Sequence, residues 1–243
     1  LLYNATYIEP QLVADAYKNM KDNTAEVPLY LLKETHSRYL AVMEEFGPLV
    51  GTYLEIGPDI GLTTEVALNH GNLSSVILVE PNRDSHPALK QVVSGRKATV
   101  VESLAEVNES VRVDHLVLIH VLDHLLEPRR DILALRRRMD IGGLLLAVVH
   151  DESSLLRRLL GRRWPPFRLQ HPQLFSRESL TRFLESCGFR VRTVRSTANS
   201  SSARHLLRSA LSAVGGPTKW ADRVPEFRLT VRLGNILVIA EAT

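Results

Sequence analysis

The sequence predicts a doubly wound α/β domain. From residue 51 onward, short runs rich in Val, Ile and Leu alternate with amphipathic segments. Strands that are apolar on both faces belong to a sheet covered by helices on both sides. The first run leads into an acid and a glycine-bearing turn, LEIGPDIG at 54–61. In this architecture such a turn joins strand to helix beside the ligand crevice.

The elements follow in order. Residues 9–46 read as two helices, EPQLVADAYKNM and VPLYLLKETHSRYLAVMEEF, with apolar residues three and four apart. Pro28 suits the first turn of the second, and Gly47-Pro48 ends it. TYLEI (52–56) is the first strand and is followed by a helix at about 62–69. SVILVE (75–80) precedes a helix near 84–94, and ATVVES (98–103) is the third strand. HLVLIHVL (115–122), a helix near 128–139 and LLLAVVH (144–150) come next. Residues 151–175 break the alternation with Arg, Pro and aromatic residues and read as an insert on the substrate side. A helix then starts at Ser176, its N-cap, and closes at Gly188. FRVRTVR (189–195) alternates as a strand does, 196–202 reads as a loop, 203–213 as a helix and NILVIAEA (235–242) as the last strand. The domains expected are an N-terminal helical cap, 1–47, and one α/β domain, 48–243.

Composition narrows the function. Of 243 residues, 44% are hydrophobic and 23% charged, ordinary values for a globular chain. No apolar run approaches the roughly 20 residues of a membrane span, and LLYNATYIEP lacks the order of a signal peptide. The chain begins with Leu, so further sequence upstream is expected. The single cysteine, Cys187, excludes an intrachain disulfide and any multi-cysteine zinc site, which fits a cytoplasmic address. A net charge of +3 does not by itself call for nucleic acid, although arginines cluster at 136–138 and 157–168.

The acid and the glycines have a reading of their own. Glu55 ends the first strand, and Gly57 and Gly61 flank the turn, where glycine permits positive φ and close approach of a ligand. Glu80 ends the second strand, 23 residues after Gly57, where an acid can accept the hydroxyls of a ribose. A dinucleotide site requires G-x-G-x-x-G. Counting from Gly57, the later glycine places hold Asp59 and Leu62, and Asp59 would repel a diphosphate. Asp59 itself reads as an exposed turn residue or a helix N-cap. An acid ahead of the turn suits a cofactor that brings a cation, as the sulfonium of S-adenosylmethionine does.

Here the chain resembles the class I S-adenosylmethionine-dependent methyltransferases. LEIGPDIG, VILVEPN, DHLVLIHVLDHLLEP and MDIGGLLLAVVHD carry the resemblance in order. HPQLFSRESLTRFLESCGF is similar to the substrate-side segment of the small-molecule branch that includes ubiquinone-type and sugar methyltransferases. The resemblance implies a seven-stranded, mostly parallel sheet whose antiparallel strand is NILVIAEA. It places Glu55, Gly57 and Gly61 at the methionine part of the cofactor and Glu80, with Pro81 and Asn82, at the ribose. Glu102, Ser103 and Leu104 would flank the adenine, and His120 would face the methyl-transfer centre. In the family's E/D-x-G-x-G-x-G pattern, Asp59 stands where the middle glycine belongs.

On the acceptor side, Asp123 and His124 offer a carboxylate and a base, and His171 lies in the insert with Trp164, Phe167 and Phe175. His124 packing beneath the following loop is the alternative. His and carboxylate at 120, 123 and 124 could also ligate a metal, but no further ligand pattern accompanies them, and no metal is expected. His150, at the end of the fifth strand, borders the same crevice, and Tyr3, Tyr7 and Tyr17 are candidate contacts from the N-terminal helices. The function expected is methyl transfer from S-adenosylmethionine to a small hydroxylated molecule or sugar, oxygen methylation first, without membrane attachment and with a homodimer left open. An RNA acceptor, against which the interspersed acids argue, and a non-catalytic cofactor-binding protein are the rivals.

Overall fold

The computed structural model describes residues 2–3, 27–167, 170–213 and 215–243. The central sheet has seven strands. They are β1 (Val50–Ile56), β2 (Asn72–Val79), β3 (Ala98–Val101), β4 (Val113–Ile119), β5 (Met139–His150), β6 (Phe189–Ser196) and β7 (Asn235–Ala242). Their order across the sheet is β3-β2-β1-β4-β5-β7-β6. The first five run parallel, and β7 lies antiparallel between β5 and β6. The chain therefore reverses direction across the sheet at β1 and β4, where a crevice opens beyond the carboxyl ends.

The strand alternation sorts the core into two faces. Leu116, Leu118, Leu145, Ala147 and Val149 point to the side covered by α4 (Pro128–Arg136) and α6 (Arg177–Glu185). Val117, Leu144, Leu146 and Val148 point to the other, covered by α1 (Leu29–Glu44), α2 (Leu62–His70) and α3 (His86–Val92). Each Leu or Val so buried contributes about 1.5–3 kcal/mol relative to exposure. Ser176 caps α6 through Ser179, and Gly188 takes a φ of +84° beyond its end.

Several boundaries differ from expectation. The helix expected near 84–94 is a 3₁₀ turn at Arg83–Ser85 followed by the shorter α3. The helix after β4 stops at Arg136, and β5 starts as early as Met139, ahead of the apolar run that signals it. Residues 196–202 are not a loop throughout. Asn199–Ser202 pairs antiparallel with Arg228–Val231, and the Ser200 N–H donates to Thr35 Oγ1 at 2.9 Å. A strand of Asn and Ser shows no hydrophobic alternation, so only its pairing reveals it. The insert holds α5 (Leu155–Leu160), and Gln173–Leu174 pairs with Leu2–Tyr3. The helix expected at 9–20, which includes Tyr17, and Tyr7 ahead of it lie outside the described residues. Among the described residues no helix is long and apolar enough to cross a membrane.

Leu116 sits at the centre of β4 with no exposed surface. Leu116→Ala should destabilise the fold by about 2–5 kcal/mol. A lowered urea midpoint with an unchanged slope is the expected result.

Candidate active site

Backbone bonding carries the sheet one residue past its strands and lines up the site. The Gly57 N–H donates to the Val79 carbonyl at 2.9 Å, and the Glu80 N–H to that of Val101 at 2.8 Å. The His120 N–H reaches the Val148 carbonyl at 2.8 Å. Gly57, Glu80 and His120 thus stand in a row at the carboxyl edge.

The turn after β1 holds three left-handed residues, with φ of +66° at Gly57, +53° at Asp59 and +82° at Gly61. A Cβ on Gly57 would come within 2.9 Å of Val121 Cγ2. Asp59 is not the helix N-cap; Gly61 occupies that place. Asp tolerates the left-handed region better than most side chains. Its backbone N–H donates to Glu80 Oε2 at 3.0 Å, while the Asn82 N–H donates to Oε1 at 2.8 Å. One carboxylate therefore fastens the turn after β1 to the turn after β2.

Glu55 is buried, and its Oε2 accepts from the hydroxyls of Tyr53 at 2.8 Å and Thr64 at 2.6 Å. Burial pushes its carboxyl above the ordinary range, against the pull of those hydrogen bonds. Burial likewise raises Glu80, against its two backbone donors. Both acids, with Gly57, Pro81, Asn82 and His120, line a cavity of about 790 Å³. Leu32, Thr35, His36 and Tyr39 of α1 wall it, together with Asn199. Burial pushes the Tyr39 hydroxyl up to about 12 and the His36 imidazole down to about 4.

The expected adenine flank sits apart from this lining. Glu102 is paired with Arg83, Ser103 caps a 3₁₀ turn with Glu106, and Leu104 packs against the core.

Beyond the end of β4 the structure brings four imidazoles together. Ring centroids are 4.7 Å apart for His120 and His150, 4.8 Å for His150 and His171, and 4.4 Å for His124 and His171. Asp123 lies among them with no exposed surface. Its carboxylate is paired with His150 and not with its sequence neighbour: Oδ2 lies 2.5 Å from His150 Nδ1 and accepts from the His150 backbone N–H at 3.3 Å. Burial opposes ionisation of Asp123, yet the His150 contact and the surrounding rings hold it well below the usual carboxylate range. Burial lowers His120 to about 3 and His171 to about 4, and lowers His124 too. Sequence reading placed His150 at the crevice but did not select it. Asp123 precedes α4 while His150 ends β5, so only the parallel pairing of β4 and β5 brings the two together.

The insert closes this end. Trp164 is buried edge-on to Phe167 and His150, at 5.4 and 6.2 Å. Gln173, which sequence reading passed over, donates from Nε2 to the carbonyls of Leu122 at 2.9 Å and Leu125 at 2.5 Å. The His171 ring meets the Pro166 carbonyl at 2.7 Å.

The sheet order, the glycine turn and the strand-end acids together define a class I methyltransferase, the S-adenosylmethionine-dependent type. The model of a family described as a methyltransferase domain matches residues 26–194, and the chain belongs to that family. Solved structures share the fold. Magnesium protoporphyrin IX methyltransferase of Synechocystis PCC 6803, solved with bound SAH, is 14% identical with a TM-score of 0.61, over 97% of this chain and 100% of that one. The N-methyltransferase NodS of Bradyrhizobium japonicum WM9, in complex with S-adenosyl-L-homocysteine, is 14% identical with a TM-score of 0.60, over 95% and 97%. A chain of the complex between the Haloferax volcanii Trm112 methyltransferase activator and a methyltransferase is 13% identical with a TM-score of 0.62, over 94% of this chain and 97% of that one. Among curated proteins, none matches the chain.

His36 bonds Thr63 Oγ1 at 2.8 Å and is held neutral, near 4 against the ordinary 6.5. The unfolded chain takes up this proton first as pH falls, so stability present above 6.5 is lost progressively toward 4. In thermal melts across that window, His36→Gln should lose midpoint less steeply than the wild type.

Proposed function

We propose that the chain transfers the methyl group of S-adenosylmethionine to a small hydroxylated acceptor, with oxygen the methylated atom. One observation carries this reading: two buried acids from adjacent strands, Glu55 and Glu80, line one cavity with a glycine turn that a Cβ would crowd. A cationic cofactor suits two carboxylates whose burial resists ionisation, since a nearby positive charge favours their charged form. When bound there, the cofactor supplies an electrophilic methyl on sulfur. Glu55 and Gly57 would hold its amino-acid part, with Gly61 shaping the turn. Glu80, beside Pro81 and Asn82, would accept from its ribose, the carboxylate already being aimed by two backbone amides. Glu102, Ser103 and Leu104 remain the adenine-side candidates.

His120 and His124 line the cavity and would face the acceptor, with Asp123, His150 and His171 packed behind them. His124 would take up the acceptor's proton, work typically worth about 10²–10⁴-fold in rate. The buried insert residue Trp164 keeps water from that end. A small acceptor fits a cavity walled by α1 and by the turns that follow β1, β2 and β4. The arginines support it as well: Arg190 and Arg192 pair with Glu241, Arg195 with Glu45, Arg208 with Asp222 and Arg228 with Glu34. Surface charge is thereby broken up, where an RNA acceptor favours a continuous basic face.

Titration calorimetry with S-adenosylmethionine tests the reading. Binding is expected, weakened roughly 10- to 100-fold by Glu80→Gln through loss of charge-assisted hydrogen bonds. No heat of binding to the wild-type chain would overturn it. For the acceptor, a screen with labelled methyl donor should find a hydroxylated compound. With that compound, Asp123→Asn should lower kcat by about 10²-fold or more while cofactor affinity holds.

A further inference from the structure

We propose that His120, Asp123 and His150 form a binding site for a divalent transition-metal ion of the zinc type at the acceptor end of the cleft. Each offers one donor atom, and these atoms lie within 4.8 Å of one another. Bonds of about 2.0–2.2 Å would draw them somewhat closer, which ring rotation can supply. The set considered from sequence, with His124, changes one member, because the fold gives Asp123 to His150.

Three observations point to a ligand and not to packing alone. Asp123 has no exposed surface, and its Oδ1 has no hydrogen-bond partner. His120 Nδ1 is buried and likewise without one. Buried polar atoms nearly always have partners, so two orphans in one cluster mark a place where something binds. His120 also holds a φ of +53°, a conformation uncommon outside glycine that concentrates at functional sites.

The donor chemistry selects the ion. Two imidazoles and a carboxylate suit zinc and its first-row neighbours, while magnesium and calcium prefer oxygen ligands throughout. Three protein ligands leave positions open, as in catalytic sites. His120 also lines the cavity, so an open position faces the cleft, where an acceptor oxygen can take it. That use of the ion rests on the methyl-transfer reading; the site itself rests on the cluster alone.

The test uses the purified chain, stripped with a chelator, incubated with zinc and desalted. Elemental mass spectrometry should find about one zinc per chain, and X-ray absorption should show imidazole nitrogens in its shell. Asp123→Asn and His150→Gln should each weaken zinc binding by roughly 100-fold or more, beyond what a supporting residue alone costs. His70→Ala, on the exposed end of α2, should not. Circular dichroism confirms that each variant folds. If one does not, the absorption spectrum of the wild type decides, and a shell without imidazole overturns the site. Wild-type chain that keeps no zinc, or folded variants that keep it fully, also overturns it. Cofactor titration is a separate measurement: a chain that binds S-adenosylmethionine but keeps no zinc sinks this inference and spares the methyl-transfer reading, and a chain that keeps zinc but does not bind the cofactor does the reverse.

Discussion

The continuation of the parallel ladder past the ends of its strands is the constraint on which the rest depends. The amides of Gly57, Glu80 and His120 still donate to the neighbouring strand after the side-chain alternation has ended. Three positions at the carboxyl edge are thereby fixed by backbone geometry, not by loop packing. Glu80 then adds a cross-tie, since its carboxylate holds the amides of Asp59 and Asn82. An uncharged replacement loses strength at two turns together, because charge-assisted hydrogen bonds are roughly twice as strong as neutral ones.

The two ends of the cleft are built on different principles. At the end that carries Glu55 and Glu80 the acids are satisfied: Glu55 by Tyr53 and Thr64, Glu80 by backbone amides. At the end that carries the four imidazoles polar atoms are crowded and incompletely paired, with the orphaned Oδ1 of Asp123 and Nδ1 of His120. A fully bonded network is rigid, whereas buried groups left without partners favour any ligand that completes them.

The α/β alternation was legible because doubly covered strands advertise themselves as apolar runs, and Glu55, Gly57 and Glu80 were legible from their places at strand ends. Asn199–Ser202 was not, since its polar residues carry no alternation and its partner strand lies far along the chain. The pairing of Asp123 with His150 was hidden for a related reason. Adjacent residues such as Asp123 and His124 invite pairing on paper, but the bond is made across strands by parallel register. Asp59 looked like a departure from the glycine pattern, yet the turn uses its backbone conformation and amide, which an aspartate can supply.

Gln173 spans two structural units with a single amide, gripping the carbonyls of Leu122 and Leu125 on either side of the Asp123–His124 turn. The insert is thus a mechanical part of the segment that carries Asp123, not a replaceable cover. A shift of the insert is transmitted through that amide to the Asp123–His124 turn, so the two segments move as one body.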